Sequence, residues 1–346
     1  MKQIYLKSIL AFFFLLASFS QAQTVEFNYE INSEIPDNEN GYAGIIFINN
    51  QFWVSEWASS DIHILDNMGN YIESFEIFGL SGVRSMTTDG TNIYCGAAGN
   101  TIFIVNPVTR ILTSAISITT ASSASARFCT YDASLDGGSG GFWIANFNTD
   151  IAAVGMTGDE LAVIPLGTHG LDGMYGAAVD DLGNLYVYHQ GGANQDQISI
   201  IDTSTGSQVG TAYDVFTNIT SPLGSTESIA GGLFISEDVV SGKKVVVGIS
   251  QATPNNILFA VDFGIALSVD EFTLNNNIKL HPNPATDVIS ISGLKQTENY
   301  RIYNILGSEV RKGTITDNEK IQIDNFQNGL YILTFDNGHT FRFIKK

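Results

Sequence analysis

One segment of the chain, residues 175–206, recurs in four imperfect copies and constrains the fold more than any other feature. It holds short β-rich runs at 177–180, 185–188 and 198–201, separated by turn residues, and a Thr-Gly turn leads into a fourth run. Short strands repeated at a regular period are typical of the four-stranded blades of a β-propeller. The copies lie at 44–78, 83–118, 127–166 and 231–263, so the sequence predicts five blades.

The last copy lacks a fourth strand, and an unpaired segment near the N-terminus offers one. Residues 25–31 alternate like a strand but have no partner nearby in the sequence. We expect this segment to pair with the fifth blade, because that closes the ring and removes two exposed sheet edges. Six blades are the alternative, if residues 26–40 and 210–230 contain further strands.

The two ends of the chain differ in character from the repeats. Residues 1–22 combine two lysines, an apolar run and a small-x-small site, which predicts a signal peptide. The predicted propeller spans 23–266, and a linker follows at 267–279. About seven short strands in 280–346 predict a small Ig-like antiparallel β-sandwich. The predicted fold class is therefore all-β, a propeller followed by a sandwich, and no other apolar run reaches membrane-spanning length.

Charge is concentrated in the repeats. Residues 23–266 carry 26 acidic and 5 basic side chains, a net charge of −21, whereas 267–346 are balanced. Such an acidic surface repels nucleic acid and anionic membranes, which excludes both as partners. The two cysteines, Cys95 and Cys129, fall on strands of neighbouring blades, and a disulfide or two separately buried thiols both remain open.

Four aromatic residues share one register on the second strand of their blades. They are Trp53, Tyr94, Trp143 and Tyr186. Their recurrence from blade to blade indicates packing between adjacent blades rather than a ligand stripe.

The motif YGAAVDDLGNLYV, which begins at Tyr175, resembles the repeat of NHL and YVTN propellers. The resemblance covers about residues 24–265 and implies the propeller fold. It implies no single function, because this repeat class includes binders, lactonases, lyases and redox enzymes.

The C-terminal residues contain several short motifs in a defined order. The residues that carry them are Pro282, Asn283, Pro284, Gly307, Gly329, Tyr331, Lys345 and Lys346. Together they resemble the type A C-terminal sorting domain of the type IX secretion system of Bacteroidetes. This resemblance implies passage through the periplasm and outer membrane on that machinery, followed by release or attachment at the cell surface.

One face of a propeller gathers the loops that enter each innermost strand and those that join the second strand to the third. Gln251 falls in these loops, as do the candidate ligand-binding residues Glu56, Trp57, Arg84, Arg127, Asn146, Tyr175, His189 and Glu227. Arg84, Arg127 and Tyr175 each precede a turn aspartate by five residues, which predicts equivalent positions at the channel rim.

The arginine pair at the rim supports two interpretations. It would suit an anionic group such as a uronic acid or a peptide carboxylate, with Trp57 stacking on a sugar ring. Alternatively, each arginine pairs with a nearby acid such as Glu56 or Asp172.

Catalysis is the competing function. His169 and Asp172 share one loop and would form a general base with its orienting carboxylate. Glu56, Asn146, Asp172 and Glu227 would ring a calcium ion, which is the cofactor that this alternative needs. The first hypothesis is an exported propeller that binds a carbohydrate, peptide or protein, and the second is a calcium-dependent lactonase, lyase or hydrolase. Binding is favoured because no set of residues has the spacing that catalysis requires.

Overall fold

The computed structural model describes residues 23–31, 35, 41–192, 194–265, 279–294, 297–305, 307–335 and 340–346. The chain divides into two compact units, one up to Leu267 and one from Ser268. The predicted signal peptide lies outside the described residues, as does the predicted linker apart from Lys279, which begins a strand.

The first unit consists of five four-stranded antiparallel sheets, so the prediction of five blades is confirmed. Blades 1 to 4 use their strands in chain order from the channel outward. Blade 1 contains β2 (Tyr42–Ile48), β3 (Gln51–Glu56), β4 (Asp61–Leu65) and β5 (Tyr71–Glu76). Blade 2 contains β6 (Ser85–Thr88), β7 (Ile93–Gly96), β8 (Thr101–Asn106) and β9 (Ile111–Ser117).

Blades 3 and 4 add short helices at their connections. Blade 3 contains β10 (Phe128–Asp132), α1 (Leu135–Gly138), β11 (Gly141–Ala145), β12 (Ile151–Gly155) and β13 (Glu160–Ile164). Blade 4 follows α2 (Leu166–His169) and contains β14 (Met174–Val179), β15 (Asn184–Gln190), β16 (Asp196–Asp202) and β17 (Gln208–Asp214). A π-helical turn (Phe216–Thr220) and a 3-10 turn (Ser221–Leu223) come next, where a sixth blade would have needed strands.

Blade 5 is completed by the N-terminal strand, as predicted. Its strands are β18 (Glu227–Ser236), β19 (Lys244–Thr253), β20 (Ile257–Ile265) and β1 (Thr24–Glu30). β1 pairs antiparallel with β20, from Thr24 opposite Asp262 to Glu30 opposite Ile257. Ile31, just beyond the strand, is fully buried in the core between blades 5 and 1. The ring is therefore closed by the first strand of the chain.

The aromatic register on the second strands has two roles. Each of the four residues is at most 4% exposed and lies in a hydrophobic cluster that includes the next blade. The polar edges also bind the turn after the innermost strand: Tyr94 donates to Asp89 (2.8 Å) and Trp143 Nε1 donates to Asp132 (2.9 Å). The packing between blades is as predicted, and the hydrogen bonds explain why an aspartate recurs in the turn.

The two cysteines are free and buried. Burial raises the pKa of the Cys95 thiol to about 12 and that of Cys129 well above its usual value. Both side chains therefore act as small apolar groups in the core.

The second unit is a sandwich of two antiparallel sheets around one apolar core. The smaller sheet contains β21 (Lys279–His281), β22 (Val288–Ser292) and β25 (Lys320–Gln322). The larger contains β23 (Glu298–Asn304), β24 (Glu309–Ile315), β26 (Gly329–Phe335) and β27 (Thr340–Lys345).

One of the motifs in the C-terminal sequence, Pro282 to Pro284, is hydrogen-bonded to the last strand of the sandwich. Between Pro282 and Pro284, the Asn283 amide donates to the Arg342 carbonyl (2.9 Å) and accepts from the Ile344 N–H (3.0 Å). Ala285 adds two main-chain hydrogen bonds at the same strand, to Ile344 and to Lys346, each 2.8 Å long.

Other members of the set shape turns and the core. Gly307 adopts a φ of +78° in the turn between β23 and β24, where a side chain would be strained. Tyr331, two residues after Gly329, stacks on Phe343 and donates to the Gln327 carbonyl (2.8 Å). Lys345 is buried, and its ammonium donates to the Lys346 carbonyl (2.7 Å).

Within the described part of the chain there is no helix that is both long and apolar enough to cross a membrane.

Candidate functional site

Five residues, one from the equivalent position of each blade, surround a cavity at the channel mouth. The cross-strand partner of each aromatic-register residue gives the alignment, since Thr87 pairs with Tyr94 and Thr130 with Trp143. Three residues before these partners, in blades 1 to 4, stand Ala43, Arg84, Arg127 and Tyr175. Blade 5 has Val247 in place of the aromatic residue; it pairs with Phe234, and three residues before Phe234 stands Gly231. All five line a cavity of about 290 Å³. The three rim residues expected to be equivalent thus lie together.

The cavity is asymmetric because the equivalent side chains differ in size. Blades 2, 3 and 4 contribute Arg84, Arg127 and Tyr175, whereas blades 1 and 5 contribute Ala43 and Gly231. A Cβ on Gly231 would lie 2.3 Å from the Ile249 carbonyl oxygen, so the main chain tolerates only glycine there. Space therefore opens on the side of blades 5 and 1. The remaining lining residues are Trp57, Phe147, Ile229 and Gln251.

Aromatic rings cover the faces of both guanidinium groups. The Arg84 Cζ lies 5.1 Å from the Trp57 ring centroid. The Arg127 Cζ lies 3.6 Å from the Phe147 ring and 4.7 Å from the Tyr175 ring. These contacts orient the two groups and leave their N–H edges as the groups available to a ligand.

Arg127 is the more deeply buried of the pair. It is 6% exposed, and its Nε has no hydrogen-bond partner in the described structure. Burial, reinforced by the nearby charge of Arg84, lowers the pKa of Arg127 to about 10. Burial also lowers the pKa of Arg84. Arg127 still carries its charge at neutral pH, so the mouth presents two neighbouring cations.

The rim arginines differ from the other cations of the first unit. Among the described residues, no carboxylate pairs with either rim guanidinium. The other three cations all have acidic partners: Arg110 with Glu73, Lys243 with Glu26 and Asp262, and Lys244 with Asp181 and Glu237. The proposed pairing of an arginine with Glu56 is wrong, because Glu56 is buried and accepts from Ser59 (3.0 Å) and contacts His63 Nε2 (3.1 Å).

Both candidate histidines are buried away from the cavity lining. The His169 Nε2 donates to the Thr149 carbonyl (3.1 Å), and its Nδ1 accepts from the Leu171 N–H (3.1 Å). With both ring nitrogens bound to main chain and its pKa lowered by burial, His169 anchors its loop and has no nitrogen free to act as a base. His189 contacts Ser199 (2.9 Å), and burial lowers its pKa to about 4, so it is neutral.

The other predicted residues do not line the cavity either. The Asn146 side chain accepts from the Phe147 N–H (2.9 Å) and so shapes the loop that carries the Phe147 ring. Asp172 and Glu227 are exposed. In the described parts of the chain, no three His, Cys, Asp or Glu side chains come close enough to hold a metal ion. The expected calcium ring of Glu56, Asn146, Asp172 and Glu227 is therefore not assembled.

Sequence reasoning missed four lining residues. They are Ala43, Phe147, Ile229 and Gly231. Ala43 and Gly231 occupy the same position in their blades as the rim arginines. The turn aspartate that marks this position in blades 2, 3 and 4 is absent at the matching place in blades 1 and 5, so the sequence pattern did not identify them. Phe147 and Ile229 gave no signal, because single apolar residues near strand ends are common.

The second unit matches a known family. Residues 279–346 match the family model described as a secretion system C-terminal sorting domain. The second unit is therefore a sorting domain. It implies export through the type IX system to the cell surface or extracellular space, and hence contact with the secretion machinery.

Solved structures similar to this chain include a glutaminyl cyclase of Myxococcus xanthus, with 13% identity, a TM-score of 0.50, and coverage of 69% of this chain and 96% of that one. Streptogramin B lyase is 15% identical with a TM-score of 0.41, covering 68% of this chain and 98% of that one. PorZ, a surface component of the type IX secretion system of Porphyromonas gingivalis, is 13% identical with a TM-score of 0.31, covering 92% and 53%. At such identities, the likeness to the cyclase bears on the fold alone. A search of curated proteins found no match.

Proposed function

We propose that the protein is an exported propeller that binds an extracellular ligand through an anionic group at the channel mouth. One observation carries this proposal: Arg84 and Arg127 have no acidic partner among the described residues, although residues 23–266 carry a net charge of −21. Two neighbouring cations repel each other, and a carboxylate or similar anion between them would relieve that repulsion.

Burial increases the expected gain from such an anion. A buried donor without a partner costs about 1–3 kcal/mol, and the Arg127 Nε is such a donor. An anion that accepts from Arg127 would remove this cost. Because aromatic rings already hold both guanidinium groups in place, little conformational entropy would be lost on binding.

Binding is a better fit than catalysis to the residues around the mouth. The nine lining residues include no histidine, aspartate, glutamate, serine or cysteine. Of the side-chain types that act in general acid–base catalysis, the lining contains only Tyr175, whose ring face is occupied by Arg127 (4.7 Å). The cyclase and the lyase among the solved structures are too distant in sequence to transfer an activity to this chain.

Thermal unfolding of the exported chain tests the proposal. The probes are oligomeric uronic acids, short peptides with a free C-terminus, and inorganic phosphate, each with calcium and with a chelator. A ligand at 100 times its Kd stabilises the folded state by about 2.7 kcal/mol, which gives a clear shift in Tm. We expect at least one anion to raise the Tm in a saturable way.

Matched variants assign that shift to the mouth. The Arg84→Gln/Arg127→Gln double variant should lose it, whereas Arg110→Gln should keep it because Arg110 pairs with Glu73. If no anion shifts the Tm, or if the double variant responds like the original chain, the binding proposal is wrong. Stabilisation by calcium that the chelator reverses would instead favour a metal-dependent enzyme.

A further inference from the structure

We propose that the ligand of the channel mouth is a monocarboxylate with a flat apolar body. Its carboxylate lies between Arg84 and Arg127, and its body covers Ala43 and Gly231 on the side of blades 1 and 5. This inference rests on the proposed function and specifies its ligand class.

The polar groups of the cavity suit one carboxylate. Five lining residues have side chains that can hydrogen-bond, namely Arg84, Arg127, Tyr175, Gln251 and Trp57, and one Gln251 N–H already donates to the Ala230 carbonyl (3.1 Å). Two guanidinium edges match the two oxygens of a carboxylate. Inorganic phosphate matches the same two positive charges, but it has no apolar body to cover the rest of the lining.

The remaining lining favours an apolar body over a sugar. Trp57, Phe147 and Ile229 are 42%, 39% and 43% exposed, so three large apolar side chains face solvent around one cavity. Each hydroxyl of a uronic acid needs a hydrogen-bond partner when it is buried, and apart from the arginines and Tyr175 only Gln251 and the Trp57 indole N–H could supply one. A planar apolar group would instead cover these side chains, at about 25 cal/mol per Å² of apolar surface removed from water.

The size and shape of the cavity set the length of the ligand. A volume of about 290 Å³ is at the lower end of the range for ligand pockets, which is room for one side-chain-sized body with its carboxylate. The small residues of blades 1 and 5 leave that room next to the arginine pair, from blade 1 beside Arg84 round to blade 5. A ligand with the charge at one end and the apolar body at the other fits this arrangement.

Tryptophan fluorescence of the full exported chain reports on binding. The chain has three tryptophans; Trp53 and Trp143 are 2% and 4% exposed, and Trp57 alone is exposed and lines the cavity. We would titrate with N-acetylphenylalanine, its carboxamide, glucuronate and inorganic phosphate. The expected result is saturable binding of N-acetylphenylalanine, with at least tenfold weaker binding of the other three.

Variants separate the two ends of the ligand. Arg127→Gln should abolish the preference of the acid over the carboxamide. Ala43→Leu should weaken N-acetylphenylalanine at least tenfold by filling the space for its ring, while acetate still competes at the arginines. Arg110→Gln should leave every affinity unchanged.

Three results would overturn the inference. Glucuronate or phosphate binding as tightly as N-acetylphenylalanine would show that the mouth selects anions without an apolar body, and the proposed function would stand. Equal binding of the carboxamide would show that the arginines do not hold the carboxylate, and a lack of binding by all four probes would contradict the proposed function as well. A further titration with N-acetyl-Ala-Ala-Ala-Phe distinguishes a small free acid from the C-terminus of a peptide as the natural ligand. The peptide binds as tightly as N-acetylphenylalanine only if the mouth admits a peptide chain.

Discussion

A buried carboxyl group between blades 4 and 5 gives the sharpest test of how the ring is held together. Asp196, on β16, is fully buried. It accepts hydrogen bonds from three hydroxyls: Tyr188 in the same blade (2.5 Å), and Ser228 and Ser250 (3.2 Å) in blade 5. All three donors are at most 2% exposed, so water cannot replace the carboxyl group if it is removed.

The expected cost of Asp196→Ala follows from these contacts. Each buried hydroxyl left without an acceptor costs about 1–3 kcal/mol, and some will find new partners. We therefore expect the free energy of unfolding of the propeller to fall by about 3–5 kcal/mol. Since a domain of this size loses about 2–4 °C of Tm per kcal/mol, the Tm should fall by about 10 °C.

The pH dependence gives an independent check. Burial raises the pKa of Asp196 above its ordinary value of 3.8, despite the hydrogen bonds that oppose the shift. The folded chain therefore binds this proton more tightly than the unfolded chain does. The resulting stabilisation is fully present below about pH 3.8 and is lost as pH rises through the folded-state pKa. Asp196→Asn has no such proton, so the difference in stability between the original chain and this variant should shrink as pH rises.

Urea unfolding followed by tryptophan fluorescence measures these effects on the propeller alone, because all three tryptophans belong to the first unit. Glu76→Ala is the control, since Glu76 is exposed on the outer strand of blade 1, and it should change stability by less than about 0.5 kcal/mol. Two results would refute the reasoning. One is a fall of less than 1 kcal/mol in the free energy of unfolding for Asp196→Ala, and the other is a stability difference between the original chain and Asp196→Asn that does not vary with pH.

Three further outcomes are expected. Trp143→Phe leaves Asp132 without its buried donor and should cost about 1–3 kcal/mol in urea unfolding; a neutral effect would mean that the repeated aspartate is not needed to bind the aromatic residue. Ile31→Ala should cost about 2–5 kcal/mol, whereas Val25→Ala, at the exposed end of the same closing strand, should cost under 1; equal costs would argue against closure by β1. Removal of residues 279–346 should abolish extracellular protein on immunoblots of cell fractions, and continued export would contradict the sorting role.

The sequence was sufficient for the architecture because blades are local and repetitive. Strands, turn residues and the shared register of Trp53, Tyr94, Trp143 and Tyr186 all recur, so errors in one copy are corrected by the others. Even the closing strand was predictable, since a blade with three strands leaves an edge that the N-terminal segment can cover. The sorting domain was equally accessible, because several short motifs occur in a defined order, and one of them places Asn283 against the last strand.

The site was only partly predictable, for a physical reason. Repeat alignment gives the position of a residue along its strand, and it placed Arg84, Arg127 and Tyr175 at one mouth. The alignment does not show which polar groups already have hydrogen-bond partners in the folded chain. His169 and Glu56 are residue types that occur in catalytic sites. In this structure, however, His169 is hydrogen-bonded to the main chain and Glu56 contacts His63, so both have structural roles.

At the position after the rim residue, blades 1, 4 and 5 carry glycine, whereas blades 2 and 3 carry Ser85 and Phe128. A Cβ on Gly176 would lie 2.4 Å from the Gly231 carbonyl oxygen, and one on Gly232 would lie 2.5 Å from that of Ala43. Main chains of blades 4, 5 and 1 therefore pack directly against each other below the rim, which gives the cavity a floor at this side. The rim residues differ in charge and size, from Gly231, which has no room for a side chain, to the arginines of blades 2 and 3. The ligand preference that we propose is consequently set by one register of the repeat, and the propeller fold itself does not specify it.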